Sequence, residues 1–190
     1  MKKAYLIHGW GGSPEHGWFP WLKKELVSRG WQVEAFSMPD SDKPMMEKWI
    51  PFLGEHIVDP DADTVIVGHS MGVQAALRYV DQLSDGKHVG KLVLVAGPMD
   101  TITGMEGSSE DPAIAEPWLT RPIDAEKVKR IVSGIVGIFS DNDRWIPLSQ
   151  EIVLREHFGA RTIIMHDMHH FSGDDGITEV PMILKEVLGE

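Results

Sequence analysis

The sequence predicts an α/β fold in which a parallel sheet carries helices on both of its faces. Apolar, β-branched runs alternate with segments of helical periodicity along the 190 residues, a pattern typical of parallel sheets flanked by helices. The first run, at residues 4–8, is continuously apolar instead of alternating, as expected for a strand that is covered on both faces. No internal repeat, low-complexity tract or linker interrupts the pattern, so we predict one domain spanning residues 1–190.

Six strands are predicted from these apolar runs. They lie at residues 4–8, 31–36, 64–67, 91–96, 134–139 and 161–165. The third, at residues 64–67 (TVIV), consists only of β-branched side chains, which favour extended backbone. Six strands joined through helical connections are enough for one parallel sheet.

Helical segments fill most of the connections between the strands. They are predicted at residues 18–29, 45–58, 124–131, 147–158 and 178–188, with a further helix that follows Gly72 and ends near Leu83. Gly30 ends the first helix as a C-cap. Pro51 should kink or divide the second, because proline lacks the N–H and clashes with the preceding turn. Residues 97–120 contain several glycines and prolines and are predicted to form a loop-rich excursion.

Composition narrows the classes of partner and chemistry. The chain carries 18 Lys and Arg against 29 Asp and Glu, a net charge of −11, which argues against a nucleic-acid or anionic-membrane surface as the main partner. It has no cysteine, which excludes a disulfide scaffold, a thiolate nucleophile and a cysteine-based zinc site. The apolar run near the N-terminus is too short for a signal peptide, and no apolar stretch approaches the roughly 18 residues that span a bilayer. We therefore expect a cytoplasmic protein.

Ser70 is the predicted nucleophile. It lies in the G-x-S-x-G pattern of residues 68–72 (GHSMG), between a β-branched strand and an alanine-containing helix. A sharp strand-to-helix turn holds such a serine in strained geometry, and small residues at both ends of the pattern avoid clashes with the crowded backbone. The hydroxyl then stands at the carboxyl edge of the sheet, beside the amino end of a helix and its N–H groups.

The loop after the first strand is predicted to supply part of an oxyanion hole. Residues 8–13 read HGWGGS, and the backbone N–H groups of Trp10 and Met71 are the expected donors to the developing oxyanion. His8 is expected to fix the loop by hydrogen bonding. The Gly-Trp-Gly segment also resembles the start of a dinucleotide-binding fingerprint, but Pro14 stands where that pattern requires its third glycine.

The carboxylate that orients the base is expected after a late strand. The fifth strand runs into residues 140–144 (SDNDR), so two carboxylates compete there. The arrangement D-x-x-[IV]-P leading into a helix favours Asp143, while Asp141 could brace the turn through backbone hydrogen bonds. Asp100, after the fourth strand, is a weaker candidate.

The base is expected after the last strand, where residues 166–171 read HDMHHF. Position alone does not choose among His166, His169 and His170. His170 best fits a loop histidine that returns over the sheet edge toward Ser70, because an aromatic residue and a Ser-Gly pair follow it. A serine hydroxyl needs such a base to remove its proton, and the base needs a carboxylate to orient it.

The same histidine-rich loop suggests an alternative, a metal site. Histidine and aspartate side chains are ligands for zinc or iron. The histidines lie within five residues of one loop, however, with no H-x-x-x-H on a predicted helix and no second cluster. We therefore expect no metal ion and no cofactor.

Taken together, these segments resemble the small serine hydrolases grouped with retinoblastoma-binding protein 9, within the α/β-hydrolase superfamily. The similar segments are residues 16–26 (HGWFPWLKKEL), 68–72 (GHSMG) and 140–147 (SDNDRWIP), together with the pair His170-Phe171. They are spread over nearly the whole chain.

The resemblance implies a minimal α/β-hydrolase fold that lacks the usual first two strands. The sheet would have six parallel strands in the order 2-1-3-4-5-6, with helices on both faces. The resemblance also implies a triad of Ser70, Asp143 and His170, the residues that their positions already favour. The sequence departs from the family in two places: His169 stands where glycine commonly precedes the catalytic histidine, and the cysteine-containing motif associated with binding the retinoblastoma protein is absent, so that partner is not implied.

These residues predict a serine hydrolase, and specifically a carboxylesterase that acts on small esters through an acyl-enzyme. Trp145 and Phe171 flank the triad and are the predicted substrate-binding residues. Further side chains expected to line an apolar acyl pocket are Trp10, Met71, Met99, Met105 and Trp118. The excursion is short, so we expect short acyl chains. The alternatives are thioester or amide cleavage or acyl transfer on the same triad, a metal-dependent enzyme, and a non-catalytic binding protein that kept the fold.

Overall fold

The computed structural model of the chain describes residues 1–105 and 111–190 and contains a six-stranded, parallel sheet. Its strands, β1 to β6 in chain order, are Lys3–Ile7, Gln32–Ala35, Thr64–His69, Lys91–Val95, Ile135–Ser140 and Arg161–Met165. Their spatial order is β2-β1-β3-β4-β5-β6. The predicted fold class and strand order are therefore confirmed.

All the strands run in the same direction, so their carboxyl ends lie along one edge of the sheet. β3 is fully enclosed, since it lies between β1 and β4 and each of its six residues is buried. Its apolar, β-branched sequence suits a strand covered on both faces. The loops that leave β1, β3, β5 and β6 at this edge carry the candidate site residues.

Among the described residues, seven helices cover the two faces of the sheet. Helices α1 to α7 are Phe19–Ser28, Met46–His56, Met71–Gln82, Asp111–Thr120, Ala125–Ile131, Ser149–Phe158 and Pro181–Leu188. One buried apolar cluster includes Trp49 of α2, Leu77 of α3 and Leu154 of α6. A second cluster includes Leu22 of α1 and Ile183 of α7. Two cores on opposite faces confirm the predicted layers.

Helix α4 corrects the sequence-based prediction, which placed only loop at residues 97–120. Asp111–Thr120 is helical, while residues 106–110 of the predicted excursion lie outside the described residues. Pro112 stands in the first turn, where a missing N–H costs no intrahelical hydrogen bond. Pro117 lies inside the helix, and its presence there explains why the sequence pattern favours a loop.

Contacts from distant parts of the chain hold α4 in place. Trp118 is 1% exposed, and its indole N–H donates to the carbonyl of Pro44 at 2.8 Å. Arg78, buried on α3, donates from Nη2 to the carbonyls of Trp118 at 2.6 Å and Arg121 at 2.7 Å. Carbonyls at the end of a helix lack intrahelical partners, and the Arg78 guanidinium is the hydrogen-bond donor to the carbonyl of Trp118. These tertiary contacts override the weak local preference of a segment with two prolines.

Smaller differences concern helix ends and Pro51. Helix α2 is not divided at Pro51, which is exposed, while Trp49 and Leu53 on its other side are buried. Helices α6 and α7 begin at Ser149 and Pro181, slightly later than predicted. In the part of the chain that the structure describes, no helix combines the length and the apolar character needed to cross a membrane.

Candidate active site

Ser70 occupies a sharp turn between β3 and α3. Its backbone has φ 54° and ψ −123°, a conformation that residues with side chains rarely adopt. A Cβ on Gly68 would lie 2.6 Å from the carbonyl oxygen of Gly72, and one on Gly72 would lie 2.3 Å from that of Ile7. Only glycine fits at either position, so the G-x-S-x-G pattern follows from the crowding around the turn.

Ser70, His170 and Asp143 form a continuous hydrogen-bonded chain, although they follow three different strands. Nε2 of His170 lies 2.9 Å from Oγ of Ser70, and Nδ1 lies 2.8 Å from Oδ2 of Asp143. An ionised carboxylate can only accept, so Nδ1 carries the proton and Nε2 is free to accept from the serine hydroxyl. The imidazole thus presents its basic nitrogen to the hydroxyl.

Asp143 is held rigidly beneath His170. Its side chain is 1% exposed, and Oδ1 accepts from the backbone N–H groups of Trp145 at 2.8 Å and Ile146 at 3.1 Å. A buried carboxylate needs such partners to remain ionised. The turn after β5 therefore leaves Oδ2 to the imidazole alone.

The competing candidates lie elsewhere. Asp141 accepts from the backbone N–H of Asp167 at 3.1 Å and pairs with Nδ1 of His166 at 2.6 Å, so it braces the loop after β6. Hydrogen bonding to Asp141 raises the pKa of the exposed His166. Asp100 accepts from Nε2 of Gln150 at 2.8 Å. None of these carboxylates contacts His170.

His169 lies next to His170 but has different partners. Its N–H donates to Oδ1 of Asn142 at 2.8 Å, and its Nδ1 lies 3.1 Å from Nδ2 of the same side chain. Its φ is 48°, in the left-handed region that favours glycine. Asn142 therefore holds a histidine in a conformation that glycine adopts more readily.

Trp10 and Met71 border the same site as Ser70. Met71 is the first residue of α3, and N–H groups in the first turn of a helix have no intrahelical partner. Gly9 lies directly against Ser70, since a Cβ on it would fall 2.7 Å from the serine Cβ. His8 holds the end of β1: its Nδ1–H donates to the Gly9 carbonyl at 2.8 Å, and Nε2 accepts from the N–H of Met38 at 3.1 Å.

A cavity of about 360 Å³ opens above Ser70 and His170. Its apolar lining includes Trp10, Phe19, Met71, Ile102, Met105 and Trp145. Phe171 also borders the cavity, but its side chain is completely buried and packs in the core. Met99 and Trp118, predicted to line a pocket, are instead buried in the other core cluster.

The loop after β6 contributes His166 and Asp167 to a group of side chains that could hold a metal ion, but His170 is not part of that group. His169 and His170 point to different partners, as described above. Within the described residues, the side chains of Asp141, His166 and Asp167 could bring ligand atoms within 4.8 Å of one another, and all three are exposed. This arrangement is an ion-paired surface turn, separate from Ser70.

The chain matches a known protein family over nearly its whole length. The profile of the family described as serine hydrolase matches residues 4–188. The chain belongs to the serine hydrolase family. Its resemblance to the group of retinoblastoma-binding protein 9, predicted from the sequence, is thereby confirmed.

Two relatives cover almost the whole of this serine hydrolase. The protein YdeN of Bacillus subtilis is 29% identical over 182 residues, 96% of this chain and 92% of YdeN. Serine hydrolase RBBP9 of Rattus norvegicus is 28% identical over 189 residues, 98% of this chain and 95% of the rat protein. The crystal structure of YdeN superposes with a TM-score of 0.89 at 26% identity over 100% of both chains. The esterase EaEST of Exiguobacterium antarcticum shares the fold, with a TM-score of 0.64 at 15% identity over 86% of this chain and 83% of that one.

Two residues near the site of this serine hydrolase were missed by the sequence reasoning. Nε2–H of His69 donates to the carbonyl oxygen of His170 at 2.8 Å. Oδ2 of Asp175 accepts from the N–H of His170 at 3.1 Å. The sequence signal for His69 was its position inside G-H-S-M-G, whereas nothing in the sequence pattern distinguishes Asp175 from Asp174 beside it.

Proposed function

We propose that this serine hydrolase is a carboxylesterase that cleaves small esters through an acyl-enzyme on Ser70. The observation that carries the proposal is the hydrogen-bonded chain from Ser70 Oγ through both nitrogens of His170 to Asp143. A serine hydroxyl is a poor nucleophile until a base removes its proton. In this hydrogen-bonded series, His170 is that base in the correct tautomer, and Asp143 is the carboxylate that stabilises the imidazolium as it forms.

Acylation would proceed by addition to the ester carbonyl, followed by loss of the alcohol from the tetrahedral intermediate. Nε2 of His170 takes the proton of Ser70 Oγ as the oxygen attacks the carbonyl carbon of the ester. The backbone N–H groups of Trp10 and Met71 donate to the resulting oxyanion. His170 then returns the proton to the alcohol oxygen as the ester bond breaks, which leaves the acyl group on Ser70.

Deacylation would repeat these roles with water. His170 takes a proton from a water molecule, whose oxygen attacks the acyl carbonyl, and then returns it to Oγ of Ser70. Asp143 remains ionised throughout, because its two backbone hydrogen bonds and the imidazole stabilise the charged form. The reaction needs no cofactor, since every proton moves between groups of this chain, the substrate and water.

The cavity supports small substrates with an apolar acyl group. Its volume of about 360 Å³ is near the lower end of the range for small-molecule sites. Trp10 and Trp145 offer aromatic surface beside the triad, and Met71 and Met105 offer flexible side chains that adapt to different shapes. EaEST, which shares this fold, is named an esterase, so esters are the first substrates to test.

Turnover of p-nitrophenyl esters with acyl chains of two to eight carbons tests the proposal. We expect hydrolysis by the wild type with a preference for the shorter chains, and a fall in kcat of at least about 10³-fold in Ser70→Ala. Retained turnover in Ser70→Ala would rule out the mechanism. Comparing one acyl group as ester, thioester and anilide separates an esterase from the other reactions that this triad supports.

The alternative function is that of a binding protein that keeps the fold and the hydrogen-bonded triad but does not catalyse a reaction. A wild-type protein of normal thermal stability that neither hydrolyses any of these esters nor reacts with a fluorophosphonate probe would favour it.

The variant Asp143→Asn tests the role of the acid, and Asp141→Asn is its matched control, because both carboxylates follow β5 but only Asp143 contacts His170.

A further inference from the structure

The loop that carries His170 has an unfavourable backbone. Asp167, His169 and Phe171 have φ values of 53°, 48° and 54°, left-handed conformations that residues with side chains rarely adopt. Two of them flank His170 directly. Such strain persists only where the surrounding structure holds the chain in place. Asn142 holds His169, and two further contacts reach the backbone of His170 itself.

His69 makes one of these contacts from the turn that carries the nucleophile. Its Nε2–H donates to the His170 carbonyl at 2.8 Å, and the two rings lie 5.1 Å apart. The His69 side chain packs edge-on against Trp18 and Phe19, which fixes the direction of its N–H. The residue before Ser70 therefore ties the position of the base to that of the nucleophile.

Asp175 makes the other contact. Its Oδ2 accepts from the N–H of His170 at 3.1 Å and from Oγ of Ser172 at 2.7 Å. The short 3₁₀ turn Gly173–Asp175 brings the carboxylate back under the loop. Hydrogen bonds to a carboxylate are stronger than those between neutral groups. The backbone of His170 is thus held at both its N–H and its carbonyl.

We propose that His69 and Asp175 form a backbone clamp that positions His170 against Ser70 and Asp143, with His69 as the residue that links nucleophile and base. In the reaction described above, neither His69 nor Asp175 takes or gives a proton. It sets the distance between Nε2 of His170 and Oγ of Ser70, on which proton transfer depends. The inference rests on the proposed triad.

The protonation state of His69 suits this role. Burial, together with the neighbouring His170, lowers the pKa of His69 to about 3. The ring is therefore neutral at the pH where esterases are assayed. A neutral ring can keep its proton on Nε2 for the carbonyl, and it places no positive charge beside the imidazolium that forms on His170.

Two matched pairs of variants test the clamp with p-nitrophenyl acetate. His69→Phe keeps an aromatic ring against Trp18 and Phe19 but removes the donor, whereas His69→Gln keeps a donor at a similar reach. Asp175→Ala removes the acceptor, whereas Asp175→Asn keeps an oxygen. We expect kcat to fall about tenfold or more in His69→Phe and Asp175→Ala with KM little changed. The conservative partners should recover most of the rate.

A proton NMR measurement provides a readout independent of turnover. The Nδ1–H of His170, shared with Asp143, should give a downfield resonance in the wild type. We expect that resonance to shift or broaden in His69→Phe and to be retained in His69→Gln. His157→Gln is the control, because His157 is exposed near the end of α6 and does not line the cavity.

The outcomes separate the clamp from the triad. A wild type without Ser70-dependent turnover would overturn the proposed function, and the NMR comparison would still test the position of His170. Ser70-dependent turnover with equal kcat in wild type and His69→Phe, or an unchanged resonance in that variant, would overturn the clamp alone. If His69→Phe does not fold, the Asp175 pair decides, and equal kcat in Asp175→Ala and wild type would reject the clamp.

Discussion

A Cβ atom placed on Gly9 would come within 2.7 Å of the Cβ of Ser70. The loop after β1 therefore lies in direct contact with the proposed nucleophile, and the next N–H along the chain belongs to Trp10. Real Cβ atoms do not approach so closely, so any larger residue at position 9 must push the loop and the turn apart.

Gly9→Ala should therefore lower kcat for p-nitrophenyl acetate by about 10²-fold, because the displaced loop moves one oxyanion donor out of position. Its melting temperature should fall as well. Gly54→Ala is the control: a Cβ there meets nothing within 4 Å, and alanine in the last turn of α2 should leave activity unchanged and raise stability by about 0.5 kcal/mol. Wild-type kinetics in Gly9→Ala would contradict the contact.

Asp143→Asn should be far more damaging than Asp141→Asn. An amide in place of the Asp143 carboxylate cannot hold the His170 tautomer or stabilise its charged form, so kcat should fall by about 10³- to 10⁴-fold. Asp141 contacts His166 and Asp167 instead, and its amide variant should retain most of the activity. Steady-state kinetics of the two purified variants decide between them, and equal losses would reject the assignment of the acid.

Buried histidines should make the fold sensitive to acid. Burial lowers the pKa values of His8 and His69, the latter to about 3. Below pH about 6.5 the unfolded chain takes up protons that these folded side chains do not, so acidification favours unfolding. The free energy of unfolding in urea should fall between pH 7 and pH 5, and less steeply in His69→Gln. Identical pH dependence in the two proteins would contradict a neutral, buried His69.

Trp145 should limit the length of the acyl chain. Its ring lines the cavity and packs against Gly104, where a Cβ would approach the ring to 2.7 Å. Trp145→Ala opens the cavity, so the ratio of kcat/KM for p-nitrophenyl octanoate over acetate should rise about tenfold. Trp21→Ala, on α1 and outside the cavity wall, should leave the ratio unchanged. An unchanged ratio in Trp145→Ala would place the acyl chain elsewhere.

The sheet was predictable because the inner strands β3, β4 and β5 are apolar runs that match strands covered on both faces. The positions of Ser70, Asp143 and His170 were predictable for a related reason, since parallel strands bring their carboxyl ends to one edge. The structure brings these three side chains within hydrogen-bond distance of one another.

What the sequence could not predict depends on contacts between distant residues. Helix α4 forms although it contains Pro112 and Pro117. Arg78 on α3 donates to the carbonyl of Trp118, and the Trp118 side chain is buried in the core. The partnership of His69 with His170 joins residues 101 positions apart, and no local pattern indicates it.

Intact-protein mass spectrometry after exposure to a fluorophosphonate probe tests the central claim, an activated Ser70, most directly. We predict one adduct for each wild-type chain, located on the peptide that contains Ser70, and no adduct on folded Ser70→Ala. An adduct that persists in Ser70→Ala, or a folded wild-type protein that remains unlabelled, would contradict the account.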